Sequence, residues 1–127
     1  MKNKYRSDLS KAKNLGASGS GTHHWWHQRI TAVILALMSV WVFYFFDQIS
    51  TANVSEMIVC LQKPLNVAMI LIFFVTTMYH GVLGMQVIIE DYVHCRIMRL
   101  VSLLGIQIFA IVTTVSVVVT LLYVMKL

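Results

Sequence analysis

Residues 65–89 read LNVAMILIFFVTTMYHGVLGMQVII, a run of 25 residues without Asp, Glu, Lys or Arg. A helix of about 20 apolar residues crosses the hydrocarbon core of a bilayer. Two further uncharged runs, residues 30–46 and 100–125, lie on either side of it, and all 15 charged residues lie outside the three runs. Of the 127 residues, 58% are hydrophobic. We therefore predict an all-α membrane protein with three transmembrane helices and expect no room for a soluble catalytic domain.

The predicted helices form an up-down-up unit with short connections. They span approximately residues 24–46, 64–90 and 98–125. The first uncharged run has 17 residues, or about 26 Å of helix, so we expect that helix to begin earlier. It then includes Trp25 and Trp26, which are typical of the interfacial aromatic belt. Pro64 suits the first turn of the second helix.

The distribution of basic residues predicts the orientation. Residues 1–21 form a basic, Gly- and Ser-containing segment that we predict to be a flexible arm, followed by the membrane anchor, residues 22–127. Eight Lys and Arg lie in the tail and the second connection, against two elsewhere, which predicts the N-terminus inside and the C-terminus outside. The arm suits anionic lipid or a partner protein better than nucleic acid, because no nucleic-acid-binding fold accompanies it. Cys60 and Cys95 fall on opposite sides, which excludes a disulfide between them.

His80 is the one ionisable residue, apart from Cys and Tyr, within the three uncharged runs. An imidazole in hydrocarbon is costly unless it ligates a metal or hydrogen-bonds a neighbouring helix, and its position leaves both open. Thr76 and Gly84 share its helix face, where small side chains allow close approach of another helix or of a flat macrocycle. One histidine cannot complete a six-coordinate haem, so a second ligand would come from another chain or copy.

Two polar stretches are predicted to lie at the inner membrane boundary. Tyr92 follows Asp91 and lies 12 residues after His80, about 18 Å along a continuous helix. Its phenol is either an interfacial anchor or a hydrogen-bond donor to a carbonyl such as that of a quinone.

The other stretch, residues 22–29, reads THHWWHQR and includes three histidines and Arg29. Its cations suit carboxylates such as haem propionates, or an acidic docking surface. A zinc site is less favoured because no carboxylate or Cys lies nearby, and the adjacent His23 and His24 point in different directions.

Two of these stretches resemble a known family. They are GTHHWWHQRITA, residues 21–32, and HGVLGMQVIIEDYVH, residues 80–94. The second has His, Gly, Gln, Asp and Tyr at set spacings. The chain resembles the hydrophobic membrane anchor subunit of succinate dehydrogenase, respiratory complex II, in its small cytochrome-bearing form. Length, three spans and predicted orientation also agree.

The resemblance implies roles for individual residues. His80 is similar to the axial ligand that this subunit supplies to the iron of haem b, which is shared with a partner subunit. Tyr92, beside Asp91, resembles the tyrosine that hydrogen-bonds ubiquinone. Arg29 and His23 match positions expected near the haem propionates and the quinone pocket.

The resemblance also implies partners and a function. The chain would be half of a heterodimeric haem-binding bundle with a large, cytochrome b556-type anchor subunit, and would dock an iron–sulfur subunit and a flavoprotein. It would serve as a non-catalytic anchor of succinate:ubiquinone oxidoreductase, in a bacterial inner membrane or a mitochondrial inner membrane. A fumarate reductase anchor and a non-redox membrane assembly scaffold are the alternatives. The direction of the reaction, the quinone species and the second haem ligand stay open.

Overall fold

The computed structural model describes residues 19–126, with side chains from residue 21. This part of the chain contains four helices and no strand: α1 (Gly19–Ser50), α2 (Val54–Gln62), α3 (Pro64–Tyr92) and α4 (Arg96–Val124). Helices α1, α3 and α4 are long and apolar enough to cross a membrane. The prediction of an all-helical protein with three candidate spans is therefore confirmed. Most of the predicted arm lies outside the described residues, and its last three residues begin α1.

The long helices extend beyond the uncharged runs. Helix α1 has 32 residues, or about 48 Å, whereas the hydrocarbon core is about 30 Å thick. Helix α4 begins at Arg96 rather than near residue 98, and the connection before it contains only residues 93–95. An uncharged run marks the part of a helix that suits hydrocarbon, while its polar ends stay helical because each turn satisfies its own backbone groups.

Helix α2 was not predicted, because the connection between the first two spans was expected only to be polar. A capping box starts it: the Glu56 backbone N–H donates to Asn53 Oδ1 at 2.9 Å, and the Asn53 N–H donates to Glu56 Oε2 at 3.0 Å. These bonds satisfy two backbone donors, one at the first turn and one at the cap residue itself. The sequence NVSE, residues 53–56, carries this signal.

Side-chain amides join α2 to the ends of the long helices. Asn66 Nδ2 of α3 donates to the Cys60 carbonyl at 2.8 Å. Gln62 Nε2 donates to the Val124 carbonyl at the end of α4, at 3.1 Å. Both acceptors are among the last carbonyls of a helix, which lack partners within the helix itself. Helix α2 thus ties α3 and α4 together at one end.

Helix α3 lies between the other two long helices. It packs against α1 on one side and α4 on the other, while α1 and α4 do not contact each other within residues 19–126. Few described side chains are buried: Thr31, Met38, Phe45, Val67, Leu83, Ile89 and Leu121. Thr31 is the one polar residue among them, and its burial requires hydrogen-bond partners. The rest of the apolar surface faces outward, as expected for a chain surrounded by lipid or other subunits.

Candidate functional site between α1 and α3

The imidazole of His80 projects from α3 toward α1, where two side chains contact it. His80 Nδ1 lies 2.8 Å from Thr31 Oγ1, and His80 Nε2 lies 3.3 Å from Gln28 Nε2. Residues 28 and 31 lie about one turn apart on the same side of α1. Both nitrogens of the membrane histidine therefore have a partner on the neighbouring helix.

The Thr31 hydroxyl determines which nitrogen of His80 carries the proton. Thr31 Oγ1 donates its single proton to the carbonyls of α1 one turn earlier, at 2.8 Å to His27 and 3.1 Å to Gln28. A hydroxyl that donates in this way accepts from His80, which is consistent with a proton on Nδ1. Nε2 carries the lone pair, which matches the Gln28 amide N–H that points to it. This tautomer is the one that leaves Nε2 able to bind a metal.

Unsatisfied polar atoms lie next to this hydrogen-bonded group. Gln28 Oε1 and His24 Nε2 are buried without a hydrogen-bond partner among the described residues. His24 and Gln28 are four residues apart and share one face of α1. The Gln28 amide also lies beside Gly84, where an added Cβ would come within 3.6 Å of its nitrogen. Buried polar atoms normally have a partner, so these two atoms are exceptions among the described residues.

A second polar contact joins the same two helices. His27 Nδ1 lies 2.6 Å from the Tyr79 hydroxyl, at an exposed position on the edge of the contact. Residues 27 and 79 immediately precede Gln28 and His80 in their helices. The α1–α3 contact is thus fixed by three side-chain hydrogen bonds at one level, which sets the register of the two antiparallel helices.

Arg29 and His23, both predicted near the site, lie on the exposed surface of α1. The Arg29 guanidinium stacks over the Trp25 ring, 5.4 Å from its centroid, a cation–π contact. Within residues 21–126, no hydrogen bond links either residue to His80. Their side chains are available to a group or subunit that approaches this end of α1 from outside the chain.

Tyr92 is the last residue of α3, so the helix runs unbroken from His80 to Tyr92. Twelve residues correspond to about 18 Å and to about 3.3 turns, so the two side chains project about 120° apart around the helix. Tyr92 is 77% exposed, and Asp91 beside it is exposed as well. The phenol therefore faces away from the α1–α3 contact, about 18 Å along α3 from the level of His80.

Cys95 precedes α4 in the connection that follows Tyr92. The backbone N–H groups of Met98 and Ile97, in the first turn of α4, hydrogen-bond its sulfur and lower the pKa of the thiol. Free N–H groups at a helix start stabilise a negative charge there. Cys60 precedes α3 and Cys95 follows it, so the 29 residues of that helix lie between the two cysteines.

Comparison with known proteins identifies the family. The model of the succinate dehydrogenase/fumarate reductase transmembrane subunit family matches residues 3–122. The chain belongs to this family. No solved structure matches it.

Relatives of this transmembrane subunit cover almost its full length. The chain is 42% identical over 119 residues to the succinate dehydrogenase hydrophobic membrane anchor subunit of Rickettsia bellii, covering 94% of this chain and 95% of that protein. It is also 42% identical over 120 residues to the protein of the same name from Rickettsia conorii, with the same coverage. A succinate dehydrogenase membrane anchor subunit of Reclinomonas americana is 37% identical over 97 residues, 72% of this chain and 79% of that protein.

The sequence prediction missed the partners of His80. Gln28 and Thr31 were part of the motif in residues 21–32, but no role was predicted for them, and Tyr79 was not singled out. A usable signal was present, because His24, Gln28 and Thr31 follow the i, i+4, i+7 spacing of one helix face. A polar stripe at the entry to a transmembrane helix predicts a polar neighbour, and His80 is the residue that meets it.

Proposed function

We propose that this subunit is the membrane anchor of a succinate:ubiquinone oxidoreductase, in which it supplies one axial ligand to haem b and part of the ubiquinone site. The family and the names of the Rickettsia relatives support the anchor role. The observation that carries the haem assignment is His80 itself. It lies in a transmembrane helix, and its Nδ1 is hydrogen-bonded to Thr31. Its Nε2 faces the amide of Gln28, whose flexible side chain can move away.

The residues around His80 suit a haem edge. The Gln28 amide nitrogen hydrogen-bonds His80 Nε2, and Gln28 Oε1 has no partner among the described residues, so no bond on that side fixes the amide. Gly81 has open space around it, so the helix surface beside the imidazole is free of side-chain bulk. Haem b, when bound, supplies one-electron redox chemistry within the bilayer. This chain supplies the oriented imidazole, and a large cytochrome b556-type anchor subunit supplies the second ligand.

The residues at the inner end suit the quinone and the soluble partners. In the proposal, the exposed Tyr92 phenol donates a hydrogen bond to a quinone carbonyl, and Asp91 beside it contributes to the same site. Arg29 and His23 present positive charge or hydrogen-bond donors to haem propionates or to the quinone pocket. The iron–sulfur and flavoprotein subunits dock at this end, on the inner face of a bacterial inner membrane.

The haem assignment is tested by reduced-minus-oxidised spectra of the purified complex. We expect a b-type signal in the wild type and its loss in His80→Ala, because the substitution removes the assigned ligand. The matched control is His94→Ala, which removes an exposed histidine in the inner connection and should leave the signal unchanged. A wild-type complex without a b-type signal would refute haem binding. That result would favour the non-redox assembly scaffold.

The quinone assignment is tested with Tyr92→Phe. We expect assembly to be normal and quinone reduction to slow about tenfold, which corresponds to the loss of one hydrogen bond of about 1.4 kcal/mol. Tyr123→Phe is the control, because Tyr123 is also exposed but lies near the end of α4, at the opposite side of the membrane. Normal turnover in Tyr92→Phe would exclude the proposed role. Comparing succinate oxidation with fumarate reduction by the same complex then separates this function from that of a fumarate reductase anchor.

A further inference from the structure

We propose that Thr31 is a positioning residue for His80: its hydroxyl accepts the Nδ1–H and fixes the tautomer in which Nε2 can bind iron. This role depends on the haem ligation proposed above. Thr31 is 7% exposed and is the one buried polar residue of the described chain. It contacts His80 directly, at 2.8 Å, and has no other partner on α3.

The backbone of α1 makes the hydroxyl an acceptor toward His80. A threonine hydroxyl has one proton, and the carbonyls of His27 and Gln28 lie at 2.8 and 3.1 Å from Thr31 Oγ1. Both carbonyls are one turn earlier in the helix and can only accept. The proton is therefore directed away from α3, and a lone pair is directed toward it. A protonated Nδ1 is the state that completes this arrangement.

The Gln28 amide, in the orientation that the structure gives it, agrees with the same tautomer. Its amide nitrogen, which can only donate, lies 3.3 Å from His80 Nε2. A protonated Nε2 would place two donors against each other, so the Gln28 contact also requires a lone pair on Nε2. Two side chains of α1 thus contact the two nitrogens of one imidazole: Thr31 contacts Nδ1 and Gln28 contacts Nε2.

Such an acceptor affects a bound metal in two ways. It orients the ring and raises the basicity of the ligating nitrogen, and removing a bond of this kind typically weakens metal binding by roughly 10–100-fold. A more basic axial imidazole also favours the more positive, oxidised iron. Loss of the Thr31 hydroxyl is therefore expected to speed haem loss and to raise the haem midpoint potential.

The experiment compares Thr31→Ser with Thr31→Ala in the assembled complex. Both variants lack the methyl group, and only the serine keeps the hydroxyl. The measurements are haem per complex, the rate of haem transfer to apomyoglobin, the midpoint potential and the electron paramagnetic resonance spectrum of the oxidised haem. We expect the alanine variant to lose haem about 10-fold faster, with a raised potential and altered g values, and the serine variant to match the wild type. Thr77→Ala is the control, because the Thr77 hydroxyl bonds only to the Phe73 carbonyl of its own helix.

Two results would overturn the role of Thr31 while leaving the haem assignment intact. They are an alanine variant that matches the wild type, or serine and alanine variants that are weakened equally. In both cases the b-type signal would be present in the wild type and lost in His80→Ala. Absence of that signal from the wild type would instead refute haem ligation, and the Thr31 role with it.

A second measurement does not depend on the variants assembling. In the full chain with ¹⁵N-labelled histidine in detergent, without haem, the ring nitrogens of His80 are assigned by their absence in His80→Ala. We expect a protonated Nδ1 and an unprotonated Nε2. A protonated Nε2 with a bare Nδ1 would overturn the proposal.

Discussion

The two contacts that α3 makes with its neighbours differ in chemistry. The α1–α3 contact contains three side-chain hydrogen bonds, which involve His80, Thr31, Gln28, His27 and Tyr79. The α3–α4 contact is apolar, with open grooves lined by side chains that include Met78, Val82 and Ala110. Its one hydrogen bond between side chains runs from Thr113 Oγ1 to the sulfur of Met78, at 3.6 Å.

Under the proposed function, the α1–α3 contact binds or orients a group and the α3–α4 contact supports it. Polar side chains within a bilayer are costly unless they are paired, so they are concentrated where a group must be bound or oriented. Helix α4 packs against α3 mainly by apolar contacts, and we assign it a supporting role. The division between the α1–α3 and α3–α4 contacts can be tested by labelling and by substitution.

The first prediction concerns the side of the membrane on which the polar end lies. A membrane-impermeant maleimide should label Cys95 only from the inner side and Cys60 only from the outer side, in an all-or-none manner. Because the pKa of the exposed Cys95 thiol is lowered, its thiolate fraction is larger at a given pH. Labelling of Cys95 should therefore persist to lower pH than that of an ordinary cysteine.

Cys95→Ser and Cys60→Ser identify the labelled residue in this experiment. Labelling of Cys95 from the outer side would reverse the orientation. It would also move the proposed docking surface to the opposite face of the membrane.

The second prediction places a charge in each contact at a similar depth. Val82→Lys, in the α3–α4 contact, should reduce membrane insertion of α3 by up to about 3 kcal/mol, because the ammonium has no polar partner there. Gln28→Lys is the depth-matched comparison, since Gln28 lies against His80 and Gly84. Its effect on insertion should be much smaller, because the ammonium can donate a hydrogen bond to His80 Nε2 in this contact. Insertion is measured with a protease-accessibility reporter after α3, and equal losses would show that the two contacts do not differ.

The third prediction is the smallest. Thr113→Val should change the stability of the subunit in detergent by less than about 0.5 kcal/mol, as measured by denaturant titration. The Thr113 hydroxyl also bonds the Phe109 carbonyl of its own helix at 2.8 Å, and sulfur is a weak acceptor. The haem spectrum should be unchanged. A loss of haem in Thr113→Val would mean that α4 contributes to the site.

Sequence reasoning located the apolar spans and the histidine but not the hydrogen bonds that orient it. Uncharged runs predict transmembrane helices because the bilayer selects for them over about 20 consecutive residues. His80 was identified because it is an ionisable residue within such an uncharged, apolar run. Thr31 was not, because a threonine that bonds its own helix carbonyl is common in membrane helices. Only the packing of α1 against α3 distinguishes it from Thr77, which makes the same local bond.

For Tyr92, Asp91 and Arg29, too, the sequence predicts a position but not the binding partner. Tyr92 and Asp91 were predicted at the membrane boundary from sequence, and they are the last two residues of α3. Whether a quinone binds beside Tyr92, or a propionate beside Arg29, depends on surfaces that other subunits complete.

The amino-acid sequence alone determined that this chain is a three-span membrane anchor, because hydrophobicity over tens of residues needs no knowledge of neighbours. Its motifs also indicated the family. The tertiary structure decided that His80 faces α1 rather than α4, that its Nδ1 is bonded to Thr31, and that the polar side chains lie in one of two helix contacts. Those facts depend on the register and rotation of packed helices, which are set by contacts between residues about 50 positions apart in the chain.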